Sequence, residues 1–143
     1  MMELDEIIYN AITADTVLAT DTGGRIKSTC IEVPPTDEDN TPLPFIVIAE
    51  SPSQNDTGTK DNVWESGVDI VNVGVEVNAK SPREVQRLRR RIRRAVESYM
   101  ESMASPPYLR SLGWDGVQWD WTRPCYFDTI RYQCEMYNTE DNG

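Results

Sequence analysis

One stretch of the chain, residues 68–103, constrains the fold most because it combines a strand, a helix cap and a long helix. The apolar residues Val71, Val73, Val75 and Val77 alternate with Asn72, Gly74, Glu76 and Asn78. This period of two predicts a β-strand with one apolar face. Ser81, Pro82 and Glu84 then form a capping box with proline in the first helical turn. The chain is therefore predicted to pass from a half-buried strand directly into a helix.

The helix is predicted over residues 81–104. Its apolar residues recur at spacings of three and four and form one stripe: Val85, Leu88, Ile92, Ala95, Val96, Tyr99, Met100 and Met103. Arginines lie opposite this stripe or at its edges: Arg83, Arg87, Arg89, Arg90, Arg91, Arg93 and Arg94. They are half of the 14 lysines and arginines of the chain. Pro106 and Pro107 end the helix.

The composition bounds the class of protein. A chain of 143 residues is one domain by the length prior, and we predict a single domain over residues 1–143. Its net charge is −10, with lysine only at positions 27, 60 and 80. This balance favours a protein that works in high salt, where self-repulsion is screened, and suggests a halophilic source; an ordinary acidic protein is the alternative. No apolar run approaches ~20 residues and no signal-peptide core is present, so we expect synthesis in a cytoplasm and no membrane partner.

The titratable residues indicate no catalytic chemistry. The chain has no histidine, which excludes Ser-His and Cys-His pairs and histidine metal ligands. Cys30, Cys125 and Cys134 form no C-x-x-C pair, and their odd number favours buried free thiols. We therefore predict no catalytic, metal-binding or cofactor-binding residue and no enzyme activity.

The N-terminal half is predicted to contain a helix and several strands. A helix occupies residues 1–19, with Asp15 and Thr16 able to cap a further half-turn, and Gly23-Gly24 is a turn. Strands lie within residues 25–79, separated by loops over 34–44 and 50–62. The apolar run Phe45–Ala49 is predicted to be a strand buried on both faces. The loop over 50–62 connects this strand to the valine-rich strand that follows, so the two strands are predicted to form a long hairpin with the loop as its mobile tip.

The C-terminal part is predicted to be a hairpin over residues 117–137. An irregular apolar segment carrying Tyr108 and Trp114 precedes it. Trp119 and Trp121 alternate with polar residues, and packing in the core explains this period-two pattern more simply than a binding surface does. The predicted fold class is α+β: a mostly antiparallel sheet of about four to five strands with two helices packed on one face.

The arginines of the long helix allow three interpretations. They form a solvated face, they meet an acidic surface of another subunit, or they contact nucleic-acid phosphates. Arginine suits partly buried ion pairs, whereas the net charge of −10 opposes binding to free DNA. The predicted interface residues are Arg83, Arg87, Arg90, Arg91 and Arg94, with Asp56, Thr57 and Lys60 in the hairpin tip, which can order on docking.

Four pieces of the chain, in order, resemble the tail-terminator or tail-completion proteins of long-tailed viruses, including the minor tail protein U-like group. They are Ala14-Asp15-Thr16-Val17-Leu18 after the first helix, Gly24-Arg25-Ile26, Pro42-Leu43-Pro44-Phe45-Ile46-Val47-Ile48, and Val71 to Ala79 leading into Ser81-Pro82-Arg83-Glu84-Val85. The resemblance spans roughly residues 3–100. The segment after Pro106 shows no match, and the arginine run is denser than the family pattern.

The resemblance implies a structural virion protein. Such proteins form a ring, typically hexameric, on the head-proximal end of the tail tube, end tube growth and join the tail to the head-neck complex. The implied partners are further copies of the chain, the tail tube protein and a head-completion or neck protein, with genome DNA only passing through the lumen. The implied location is the tail-neck junction of a virion, and the acidic composition suggests a virus of a halophilic archaeon.

Other functions remain open at this point. A stopper, adaptor or head-completion protein of the same neck would also combine short helices with strands. A nucleic-acid-binding module using the arginine helix would show strongly salt-dependent affinity for DNA. A small enzyme without a recognisable motif is the remaining alternative.

Overall fold

A computed structural model describes residues 4–27, 35–39, 41–55, 68–104 and 106–137 of the chain. Within these ranges the chain forms three helices and six strands. In chain order they are α1 (Leu4–Ala14), α2 (Thr16–Thr22), β1 (Ile26–Lys27), β2 (Phe45–Asn55), β3 (Val68–Ala79), α3 (Pro82–Ser102), β4 (Leu109–Trp114), β5 (Gln118–Asp120) and β6 (Cys125–Tyr137).

The six strands form one sheet in the order β1-β2-β3-β6-β4. Both β4 and β5 pair with the same side of β6: β4 with its later part, Ile130–Cys134, and β5 with its beginning, Cys125–Phe127. β2 and β3 form the predicted antiparallel hairpin, and β3 pairs with β6 along its whole length. β1 runs parallel to β2, so the sheet is mixed. The α+β class is confirmed, with six strands where four to five were predicted and three helices where two were predicted.

The main core lies between the sheet and the helices. α1 and α3 pack side by side on one face of the sheet, and α2 packs against both. Four valines of β3 are buried there, Val71, Val73, Val75 and Val77, and Ile130 of β6 lies opposite Val75. The stripe of α3 meets them with Val85, Leu88, Ile92, Ala95 and Val96, all buried. Burying each valine, leucine or isoleucine side chain contributes about 1.5–3 kcal/mol, so this layer holds the helices on the sheet.

The opposite face of the sheet carries a smaller apolar cluster of Phe45, Val47 and Cys125. Phe45 and Val47 alternate with Ile46 and Ile48, which join the main core. All four side chains are buried, so the prediction of a strand covered on both faces is confirmed for them. Ala49 is exposed and marks where that cover ends.

The helix predicted over residues 1–19 is two helices in the described part of the chain. The break falls at Asp15, whose backbone is extended and whose side chain accepts a hydrogen bond from the Leu18 amide. An aspartate in this position satisfies a free amide of a new helix better than it continues the old one. α2 then runs to Thr22 and ends at Gly23 in the left-handed conformation (φ 58°), which glycine adopts without strain.

The arginine-bearing helix begins as the sequence predicts. Ser81 is the N-cap, its Oγ accepts a hydrogen bond from the Glu84 amide at 3.2 Å, and Pro82 opens the helix. The helix ends at Ser102, two residues before the predicted limit of 104, with Met103 as its C-cap.

Two segments assigned to loops pair as strands. β2 continues to Asn55, so the predicted loop over 50–62 begins later, and its residues 56–62 lie outside the described residues. The pairing with β3 shifts register between Ser51 and Gln54, around Pro52, and a proline is tolerated at such a bulge. The segment from Leu109 to Trp114, predicted to be irregular, is β4 and pairs with β6. In both segments the backbone hydrogen bonds come from pairing with another strand, which the residues of the segment itself do not indicate. The predicted hairpin over 117–137 is confirmed as β5 and β6.

Candidate interaction surfaces

The arginines of α3 divide into three groups by the side of the helix on which they lie. Arg89 and Arg93 lie toward β4, where their guanidinium carbons are 4.5 and 5.0 Å from the ring centroid of Trp114. A cation over an aromatic face is attracted by the ring quadrupole. The two arginines therefore join α3 to the last strand of the sheet.

Arg89 also makes a buried ion pair. Its Nη1 donates to Oδ2 of Asp128 at 2.6 Å, and the Asp128 side chain is fully buried. Oδ1 of Asp128 accepts from the Gly116 and Thr129 amides, each at 2.8 Å. A buried carboxylate is stable only when its oxygens are satisfied in this way. Asp128 thus ties α3 to the connection between β4 and β5.

Arg87 and Arg91 lie on the other side, toward α1 and α2. Arg91 pairs with Asp15, with its Nη2 3.0 Å from Oδ2, and Arg87 pairs with Asp21 at 2.7 Å. Burial alone would raise the pKa of Asp15, but hydrogen bonds from Arg91 and the Leu18 amide outweigh it and lower that pKa. Both arginines have acidic partners inside the subunit. Their presence at an interface with another molecule stays a prediction.

The third group is the crest of α3, formed by Arg83, Arg90 and Arg94. All three are exposed, and none has an ion-pair partner among the described residues. These three arginines fit the interpretations of a solvated face or of a face that meets a partner. The other predicted interface residues, Asp56, Thr57 and Lys60, lie outside the described residues.

A row of large apolar side chains is exposed along the β4–β5 edge, which we define by Tyr108, Leu112, Trp114, Trp119 and Trp121. Trp121 is 87% exposed and Tyr108 is 75% exposed. Trp119 packs at right angles to Trp121 and against Tyr126, with ring centroids 6.0 and 4.8 Å apart. Contiguous exposed apolar patches are typical of interaction sites, and the ring contacts join Trp119, Trp121 and Tyr126 into one such group.

The prediction that Trp119 and Trp121 pack in the core is wrong. β5 pairs over only three residues, so the alternation does not extend into a longer buried strand. Trp121 lies in the turn that follows, just before Thr122, Arg123 and Pro124. The turn-forming residues after Trp121 are the sequence signal that would have placed it outside the sheet.

An ion-pair network on the helix-free face of the sheet holds that turn in place. Arg123 donates through Nη2 to Glu76 at 2.9 Å and through Nε to Asp120 at 2.8 Å. Its guanidinium carbon lies 5.9 Å from the Phe45 ring centroid. A hydrogen bond from the Thr122 hydroxyl, followed by that from Arg123, lowers the pKa of Asp120. The network anchors the turn that carries Trp121 to β3, and no sequence motif indicated it.

A groove of about 540 Å³ lies at the opposite edge of the sheet, between α1 and the strands β1 and β2. Its lining residues are Asp5, Glu6, Tyr9, Asn10, Ile26, Lys27 and Ile48. Tyr9 is 40% exposed there. The groove combines an aromatic ring and apolar walls with two carboxylates and one ammonium group.

The described residues also bear on chemical reactivity. Cys125 and Cys134 are buried and free, as predicted, and Cys30 lies outside the described residues. Burial raises the pKa of Cys125 to about 11, which keeps its thiol protonated and weakly nucleophilic. Among the described residues no group of acidic or cysteine side chains is arranged to hold a metal ion. No helix in this part of the chain is both long and apolar enough to cross a membrane.

No protein-family model and no curated protein matches the chain. Among solved structures it is similar to a chain in one described as "Virion of native gene transfer agent (GTA) particle". The alignment covers 93% of this chain and 95% of that chain, with 18% sequence identity and a TM-score of 0.47.

Proposed function

We propose that this protein is a structural virion protein, a tail terminator that forms a ring on the head-proximal end of a viral tail tube. In this role it ends tube polymerisation and joins the tail to the head-neck complex. The observation that carries the proposal is the β4–β5 edge. Its exposed tryptophans, Trp114, Trp119 and Trp121, form a surface suited to a protein partner, because aromatic residues are enriched in the buried centres of protein interfaces.

The resemblance to tail terminators supports the same role. Its four pieces fall on α1 and α2, on the start of β1, on β2, and on β3 with the start of α3. Together these elements form one continuous half of the fold, from the first helix to the central strand. The proposed partners are further copies of the chain, most simply six, together with the tail tube protein and a head-completion protein. DNA passes through the lumen without being bound, and the role involves no catalysis.

The charge distribution favours a protein partner over nucleic acid. The net charge is −10, and four of the seven arginines of α3 are occupied within the subunit by Asp15, Asp21, Asp128 or the Trp114 ring. On the exposed face of α3, a polyanion would meet the three crest arginines against an opposing overall field. Nucleic-acid binding through this crest is the second candidate function, and a stopper or adaptor of the same neck is a close structural variant of the first.

The first test is the native mass of the purified protein in low and in molar salt, followed by mixing with tail tubes. We expect a closed oligomer near six copies, or such an assembly formed on the tube, and density confined to one tube end in electron micrographs. A halophilic source predicts that molar salt preserves the assembly. Duplex DNA serves as the control ligand. Binding to DNA with a steep salt dependence, and no binding to tube ends, would favour the nucleic-acid module instead.

A further inference from the structure

The two surfaces described above lie at opposite margins of one sheet. β1 forms one end of the strand order, and β4, continued by β5 along β6, forms the other. A ring of identical copies needs two different patches on opposite sides of each subunit, because each copy contacts one neighbour with each patch. The positions of the α1–β1 groove and the β4–β5 edge meet this requirement.

The two surfaces also differ in charge. In the groove, Asp5 and Glu6 have no ion-pair partner among the described residues, and Lys27 is the one cation in its lining. At the β4–β5 edge, Arg110 on β4 is exposed, and it and Arg93 likewise have no carboxylate partner in the described part of the chain. One margin is therefore acidic and concave. The other bears protruding rings and two arginines without a carboxylate partner, beside Asp115 and Asp120, which pair with Arg131 and Arg123.

The size of the edge points to a macromolecular partner. β4 and β5 pair with β6 from Cys134 to Cys125, a length on the order of 30 Å at ~3.4 Å per residue. Apolar side chains lie along this whole length, from Tyr108 to Trp121. A small ligand would cover one or two of these side chains, whereas the margin of another folded domain would cover the row.

We infer that the β4–β5 edge of one copy docks against the α1–β1 groove of the next copy. Trp119 and Trp121 enter the groove beside Tyr9, and Arg93, four residues along β6 at the level of Trp114, lies near Asp5 and Glu6 of the neighbour. This contact is heterologous, so repeating it generates a ring. The inference rests on the proposed function in requiring contact between copies, and it replaces the arginine crest as the main contact between them.

Two variants of the full-length chain test the inference. The edge variant carries Trp119→Ser and Trp121→Ser, and the groove variant carries Asp5→Lys and Glu6→Lys. Each variant alone should associate at least about thirtyfold more weakly than the unmodified protein in sedimentation velocity, as expected for the loss of a central hot spot. Mixed together, they should form a 1:1 dimer that grows no further, because each contributes the one surface that the other lacks.

Matched variants separate these effects from unfolding and from changes in net charge. Val17→Ser removes an exposed apolar side chain elsewhere, and the pair Glu38→Lys and Glu101→Lys makes the same charge change at exposed sites outside the edge and the groove lining. Both should assemble like the unmodified protein. If a main variant does not give the circular dichroism spectrum of the unmodified protein, a milder one replaces it. Trp121→Ala alone replaces the edge variant, and the neutral pair Asp5→Asn and Glu6→Gln replaces the groove variant.

Three results would overturn the inference: edge and groove variants that assemble normally, a mixture that gives no dimer, or an unmodified protein that stays monomeric both at millimolar concentration and on tail tubes. The proposed function fails separately. If tube ends are bound while both variants assemble normally, the function stands and this interface does not. If the mixture dimerises but tube ends are never capped, the interface stands and the terminator role does not.

Discussion

β3 and the β4–β5 edge share an alternation of apolar and polar residues but lie in opposite environments. Both alternate large apolar residues with polar ones, the first through its valines and the second through Val117, Trp119 and Trp121. In β3 the alternate side chains are buried beneath α1 and α3, with Val75 and Val77 fully covered. At the edge, Trp119 and Trp121 remain exposed to solvent.

The difference shows what a period of two does and does not determine. It specifies which side chains share a face, because successive side chains of a strand point to opposite sides. Whether that face is covered depends on what packs there. β3 is central and has a helix above it, whereas β4 and β5 form the margin of the sheet. Apolar residues in the centre are covered by the fold and form a core, whereas the same residues at a margin stay exposed within the single chain.

The largest expected effect comes from the Arg89–Asp128 ion pair, which ties α3 to the connection between β4 and β5. Asp128→Ala should destabilise the fold by about 3–5 kcal/mol, because it leaves Arg89 as an uncompensated, largely buried charge. It also leaves the Gly116 amide without its acceptor. Urea unfolding followed by circular dichroism would measure the change.

The matched control for this variant is Asp21→Ala. Asp21 pairs with Arg87 from the same helix, but the Arg87 side chain is half exposed. We expect a loss of about 0–1 kcal/mol there, since water screens exposed pairs. Equal losses from the two variants would mean that Asp128 does not hold the edge onto α3.

The core side of the comparison is tested by Ile130→Ala. Ile130 is fully buried opposite Val75. Truncation should cost about 2–5 kcal/mol through lost burial and the cavity left behind. Leu112→Ala, at an exposed position of the edge, is the control and should change the unfolding free energy by less than about 0.5 kcal/mol. Chemical denaturation of the two variants side by side provides the measurement.

Acidic pH should weaken the carboxylate contacts that position the edge. Hydrogen bonds from Thr122 and Arg123 lower the pKa of Asp120, and the bond from Arg131 lowers the pKa of Asp115. A folded-state pKa below the unfolded value adds stability that is present above about pH 4 and is lost as the pH falls.

We therefore expect the thermal midpoint to decline between about pH 5 and pH 2, with the exposed Asp115–Arg131 pair contributing less than about 1 kcal/mol and the more covered Asp120–Arg123 pair contributing more. Thermal scans across this range would record the decline. Asp120→Asn should show a shallower decline than the unmodified protein. A variant whose pH profile is unchanged would show that the Arg123 network contributes nothing to stability.

The smallest effect on stability is expected for Trp121→Ala. Its side chain is almost fully exposed, so the unfolding free energy should change by less than about 0.5 kcal/mol. Its effect on assembly should be large, with binding to tube ends weakened more than about tenfold. Calorimetry and a tube-end binding assay on the same sample would separate the two quantities. A large loss of stability would instead place Trp121 in the fold rather than at an interface.

The sequence by itself determined the local elements. The valine alternation, the Ser81 cap and the apolar stripe of α3 depend on residues within one or two turns or strand repeats, and the structure confirms each of them. The α+β class follows from their order. The break at Asp15 is also local, although the continuation of the second helix to Thr22 exceeded the predicted half-turn.

Only the tertiary structure decided how the surfaces are distributed. The arginines of α3 are indistinguishable by residue type and near in sequence, yet Arg89 pairs with Asp128, 39 residues away, while Arg90 beside it points outward without an ion-pair partner among the described residues. The extension of β2, the existence of β4 and the exposure of the tryptophans likewise depend on distant strands. Periodicity and capping are properties of neighbours in the chain, whereas burial and ion pairing depend on which segments meet in space.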